Sequence, residues 1–123
     1  MIQEIYKVEK VLLFHDVNAG PRMGMQDLNS RYLMDWKKFK NIFELNKDSE
    51  YIFEAIDKNL EIHISQNVTR ITIDDGGGSC LKIAKFLKKK NIKGYFFIVT
   101  NFIGKPHFLD ESEIQEIHQM GHI

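Results

Sequence analysis

Apolar runs alternate with amphipathic stretches along this chain. Val11-Leu12-Leu13-Phe14 is short and continuous, the pattern of a buried strand, and it delivers His15-Asp16-Val17 at its end. Asn18 to Ser30 is polar, holds Gly20, Pro21 and Gly24, and reads as a loop. The spacing of Trp36, Phe39, Ile42, Phe43 and Leu45 predicts a helix over Asp35 to Asn46 with a broad apolar face. Ile52, Phe53 and Ile56 predict a second helix over Ser49 to Lys58, and Leu60, Ile62 and Ile64 alternate with polar residues as in a half-exposed strand. A strand over Val68 to Ile73 then closes on Asp74-Asp75-Gly76-Gly77-Gly78. Ser79 is the expected N-cap of a helix reaching Lys90, with Leu81, Ile83, Ala84, Phe86 and Leu87 as its buried stripe. Lys88-Lys89-Lys90 falls where positive charge suits the helix dipole. Tyr95 to Thr100 is a nearly continuous apolar strand, of the composition expected when both faces are covered. After a loop through Gly104 and Pro106, Asp110 opens a helix with Glu113 as its capping-box partner and Ile114 and Ile117 inward. Gly121 suits its C-cap, and His122-Ile123 reads as the start of a further strand.

Strands alternating with helices predict βα units and a mostly parallel sheet. In such folds chemistry gathers at the C-terminal strand ends. His15, Asp74 and Asp75 are all expected there. Consecutive strand residues face opposite ways, so two adjacent Asp side chains cannot both enter a core. Where the strand runs out they can converge, one as proton acceptor and one as metal ligand. A solvated turn is the competing reading of an Asp-Asp-Gly segment.

The composition narrows the field. With 123 residues the chain is about one domain, and 43% apolar with 28% charged residues is a globular balance. Seventeen basic residues against seventeen acidic ones leave no net field to draw nucleic acid or an anionic membrane. The lone Cys80 cannot close an internal disulfide. No run reaches transmembrane length, and Met1 to Lys7 carries acid without an apolar h-region, so no signal peptide is visible. The expected location is the cytoplasm, unless an export signal is missing.

Three segments resemble the polysaccharide deacetylases, metal-dependent carbohydrate esterases that remove N-acetyl groups from chitin-like and peptidoglycan-like polymers. Thr72-Ile73-Asp74-Asp75-Gly76 is similar to the family's Thr-Phe-Asp-Asp-Gly signature. Gly94 to Thr100 with Ile103-Gly104-Lys105-Pro106 resembles its next strand and loop. Leu109 through Gly121-His122-Ile123 resembles the helix leading to its Gly-His-Glu-Ile segment. Upstream, Leu13-Phe14-His15-Asp16-Val17 is similar to the Tyr-His-Asp-Val opening of the poly-N-acetylglucosamine deacetylase subgroup, and the Trp36-Lys37-Lys38-Phe39 helix suits that subgroup too.

The resemblance implies an α/β fold, the N-terminal part of an irregular (β/α) barrel with mostly parallel strands. It implies an N-acetylated amino-sugar polymer as substrate and a divalent metal, zinc, as cofactor. Asp74 would be the general base, Asp75 a metal ligand, and His15 the catalytic acid that protonates the leaving amine; a structural histidine at a strand end is the alternative for His15. Such a metal lowers the pKa of water and polarises the amide carbonyl. The departure is the family's two metal-binding histidines, which lie beyond Gly-His-Glu-Ile and so beyond Ile123. None of His63, His107, His118 and His122 sits where it could replace them. The expectation is therefore one incomplete domain over residues 1–123, binding metal weakly and nearly inactive by itself, with an uncovered sheet edge open to oligomer formation. Gly77-Gly78 replaces a bulkier residue common in the family, which bears on substrate preference.

Two other classes compete. A signalling receiver domain also carries a strand-end acidic pair, but it needs a phosphorylatable Asp on a later strand, and the next Asp, Asp110, reads as a helix cap. A non-catalytic deacetylase-like module, binding a glycan or a partner protein without turnover, is the alternative function.

Overall fold

The strand beginning at Val68 is the axis of the sheet. In this computed structural model residues 10–18, 33–48, 50–51 and 68–123 are described. In chain order they form β1 (Lys10–Phe14), β2 (Asp16–Asn18), β3 (Leu33–Asp35), α1 (Trp36–Leu45), β4 (Glu50–Tyr51), β5 (Val68–Asp75), α2 (Cys80–Lys89), β6 (Tyr95–Ile98) and α3 (Glu111–Gln119). A single 3-10 turn, Thr100–Phe102, follows β6.

Every ladder among these strands is parallel. β1 runs beside β5 with Lys10 opposite Thr69 and Phe14 opposite Ile73. β4 pairs with the start of β5, and β6 pairs with its end, from Thr72–Tyr95 to Asp75–Ile98. Because both overlap the stretch already paired to β1, they share the opposite edge of β5. β2 and β3 form a separate parallel pair. The α/β reading with mostly parallel strands therefore holds.

Partners in register share a face of the sheet. On one face Phe14, Ile71 and Ile73 pack with Phe39 and Phe43 of α1 and Ile83, Ala84 and Leu87 of α2. Aromatic rings fill the space between α1 and the sheet. Phe14 meets Phe39 edge-on at 4.9 Å, and Phe39 meets Phe43 at 5.0 Å; such pairs add about 0.5–1.5 kcal/mol each beyond burial. The other face carries Leu13, Thr72, Asp74, Tyr95 and Phe97.

Several expectations change. Leu45 is exposed, because Trp36, Phe39 and Phe43 define the α1 stripe and Leu45 lies about half a turn off it. Glu50–Tyr51 is a strand where a helix from Ser49 is expected: its residues are taken into a ladder with Val68 and Thr69. The rest of that helix, residues 19–30 of the expected loop, the Leu60–Ile64 strand with His63, and Met1–Lys7 lie outside the described residues. Among the described residues β6 is covered on one face only: Phe97 is 56% exposed and Leu13, two strands away on the same face, is 54% exposed.

At the chain's other end the sequence reads true. Asp110 caps α3, its side chain accepting from the Glu113 N–H at 2.9 Å while Glu113 accepts from the Asp110 N–H at 3.2 Å. Gly121 takes a left-handed φ of 97° just past that helix. Ile123 then bonds to both Gly94 and Phe96, bracketing Tyr95 as a parallel strand would. No helix among the described residues is long and apolar enough to cross a membrane.

Candidate functional site

His15 and Asp75, 60 residues apart in sequence, meet at the C-terminal ends of β1 and β5. Nδ1 of His15 lies 3.0 Å from Oδ2 of Asp75, and both side chains are about a quarter exposed. A carboxylate only accepts, so Nδ1 carries the proton and donates it. Asp74, the preceding residue, stands on the sheet face away from the helices.

The backbone makes this meeting possible. Asp75 has a φ of 79° and Gly76 a φ of 78°, two left-handed residues in succession. That region is costly for a residue with a Cβ, though Asp tolerates it better than most. Gly76 has no such choice: a Cβ there would lie 3.2 Å from Cδ1 of Ile98. The glycine turn is braced by the loop after β6. The Gly78 N–H donates to the His107 carbonyl at 2.7 Å, and the Leu109 N–H donates to the Gly76 carbonyl at 3.0 Å.

Ser79 stands at the N-cap position of α2 as expected, but its side chain makes no cap bond. Its backbone is helical and its hydroxyl instead donates to Oδ1 of Asp16. Asp16 is buried at the start of β2 and also accepts from the Val17 N–H at 3.1 Å. Sequence reasoning passed over this pair, because its two members lie 63 residues apart and no local pattern joins them. Cys80, next in the chain, is fully buried. Burial raises its thiol pKa strongly, and the carboxylates of Asp16 and Asp75 raise it further.

A cleft of about 310 Å³ opens beside His15, lined by Leu13, Asp16, Met34, Asp35 and Lys38 among others. Its size falls at the low end of small-molecule sites.

The remaining described histidines are occupied elsewhere. His118 is exposed on α3, and His107 offers its carbonyl to the glycine turn. His122 is buried, its Nδ1 accepting from the Gly94 N–H at 3.1 Å and its Nε2 donating to the Ala84 carbonyl at 2.9 Å. Burial lowers its pKa, with Lys93 and Lys88 adding to the effect against the opposing Ala84 bond. No three His, Cys, Asp or Glu side chains converge among the described residues. A catalytic divalent ion normally takes three protein ligands, so these residues do not by themselves fit one.

The chain's sequence decides the family. Residues 63–123 match the sequence model of the polysaccharide deacetylases. This segment belongs to the polysaccharide deacetylase family. Solved deacetylases share the fold over nearly the whole chain. IcaB from Ammonifex degensii is 19% identical with a TM-score of 0.64, covering 90% of this chain and 49% of its own. A de-N-acetylase from Aggregatibacter actinomycetemcomitans is 16% identical with a TM-score of 0.74, covering 91% and 51%. The Streptococcus pyogenes deacetylase PplD, solved with acetate, is 18% identical with a TM-score of 0.68, covering 92% and 53%. The chain thus spans about half the length of these deacetylases, and its fold is the N-terminal part of their irregular (β/α) barrel. No curated protein matches it in sequence.

Proposed function

We propose that this chain is part of a hydrolase that removes N-acetyl groups from an amino-sugar polysaccharide. The meeting of His15 with Asp75 at the ends of two parallel strands, 3.0 Å apart, is the observation that carries the reading. Asp74 takes a proton from the attacking water as its oxygen bonds to the acetyl carbon. The carbon–nitrogen bond then breaks as His15, entering the step with both ring nitrogens protonated, gives its Nε2 proton to the leaving amine and is left as the Nδ1–H tautomer bonded to Asp75. Acetate and a free amino sugar result. Asp75 would be one ligand of a divalent ion such as zinc, which would polarise the amide carbonyl; no three ligating side chains gather among the described residues.

The test is acetate release from N-acetylglucosamine oligomers by the intact protein, with metal content measured alongside. Asp74→Asn should abolish release and keep the metal, whereas Asp75→Ala should lose both. Retained metal in Asp75→Ala would sink the ligand assignment. Binding of the oligomer without any acetate release by the wild type would instead establish the non-catalytic module.

A further inference from the structure

We propose that Asp16 is a positioning residue: through Ser79 it holds the His15 imidazole against Asp75. The inference rests on the deacetylase reading for its chemistry, but its geometry stands apart from it. Asp16 is 1% exposed, and a buried carboxylate persists only where hydrogen bonds replace water. Ser79 supplies one, and the Val17 N–H bonds both Asp16 Oδ1 at 3.1 Å and Ser79 Oγ at 3.2 Å, closing a three-membered knot.

The knot also answers a need of α2. That helix has no acidic residue in its first turn and no side-chain cap of its own. A carboxylate held at Ser79 brings negative charge to the positive end of the helix from a strand 63 residues earlier. The same charge is felt at Cys80, the first residue of the helix.

Two rungs therefore join the same two segments: His15 to Asp75, and Asp16 to Ser79. They are not equivalent. The His15–Asp75 pair is partly exposed, and such pairs contribute little order of their own. The Asp16–Ser79 rung is buried and braced by the Val17 N–H, and removing one partner takes a hydrogen bond from a side chain that water does not reach. Order at the reactive pair is thus inherited from its buried neighbour.

The variants Asp16→Asn, Ser79→Ala and the double variant, made in the intact protein, test this. Expected is a fall in kcat of about 10- to 100-fold with KM within about twofold, since the ring is displaced while the cleft is kept. The double variant should be no worse than the worse single one, because both remove one rung. A second readout does not use activity: long-range proton–nitrogen NMR correlation of His15. The wild type should show one tautomer, Nδ1 protonated, and the variants a mixture. Lowered thermal stability with unchanged kcat and unchanged His15 tautomer would overturn the proposal and leave Asp16 purely structural. A wild type that releases no acetate would fail the deacetylase reading, and the tautomer measurement would still decide the role of Asp16. If Asp16→Asn does not fold, Ser79→Ala decides both readouts.

Discussion

His122→Phe separates two consequences of one buried ring. In the wild type the ring is 2% exposed and its edge meets Phe96 at 5.1 Å, so phenylalanine preserves the packing while deleting both polar contacts. The Gly94 N–H then has lost its acceptor inside the protein, and such a loss costs about 1–3 kcal/mol. The second consequence concerns pH. Because Nδ1 accepts a hydrogen bond, the folded protein holds His122 neutral, and burial lowers its pKa below the ordinary 6.5. As pH falls, the unfolded chain therefore takes up the proton first, and stability declines with falling pH. The contribution is whole above the ordinary value of 6.5 and is lost as pH falls from there through the lower folded value. The slope is at most about 1.4 kcal/mol per pH unit. Urea unfolding of both proteins between about pH 5 and about pH 8 measures this directly. At the upper end the variant should be less stable by about 1–3 kcal/mol, and the gap should narrow towards the lower end. Parallel loss of stability in the two across the whole window would refute the reasoning, because the titrating group would then lie elsewhere.

Two further predictions concern glycines in the loops after β5 and β6 and the buried Cys80 at the start of α2. Gly76→Ala should lower stability by about 1–3 kcal/mol, combining a left-handed φ with a Cβ driven against Ile98. Gly104→Ala has the same φ of 78° and nothing within 4 Å, so thermal unfolding of the two variants isolates the steric part; equal losses would show that Ile98 gives way. Cys80 should resist a thiol-modifying reagent at neutral pH in the folded protein, since burial raises its pKa and removes access, and should react fully once unfolded. Rapid labelling without loss of structure would contradict the burial.

Elements governed by local chemistry were readable from the chain. The α3 cap needed only Asp110 and Glu113 at the capping-box spacing, and the strand from Val68 needed only its run of β-branched residues ahead of a glycine turn. What escaped depends on partners distant in sequence. Ser79 has the chemistry of an N-cap, yet its hydroxyl donates to a buried carboxylate 63 residues away, a partner that local spacing does not reveal. The Tyr95–Ile98 strand reads as buried on both faces because an apolar run does not say what covers it; Phe97 and Leu13 share a face that the described residues leave open. Glu50–Tyr51 has no strand signal of its own and is recruited by the exposed edge of β5.

The meeting of His15 with Asp75 also has a cause, one that strand alternation alone would forbid. Continuing the β1–β5 register by one step sets His15 level with Asp74, since Phe14 is opposite Ile73. In a regular strand Asp75 would then point to the helix side with Ile73 and Ile71, away from any group that follows Asp74. The left-handed turn at Asp75 breaks the alternation at the last residue of the strand and lets its carboxylate reach Nδ1 of His15. Gly76 follows in the same region, where a Cβ would crowd Cδ1 of Ile98 at 3.2 Å, and the Gly76 and Gly78 backbones are tied to the loop at His107–Leu109. Asp75 reaches His15 because the chain turns at the end of β5, and that turn is tied by the Gly76 and Gly78 backbones to the loop after β6.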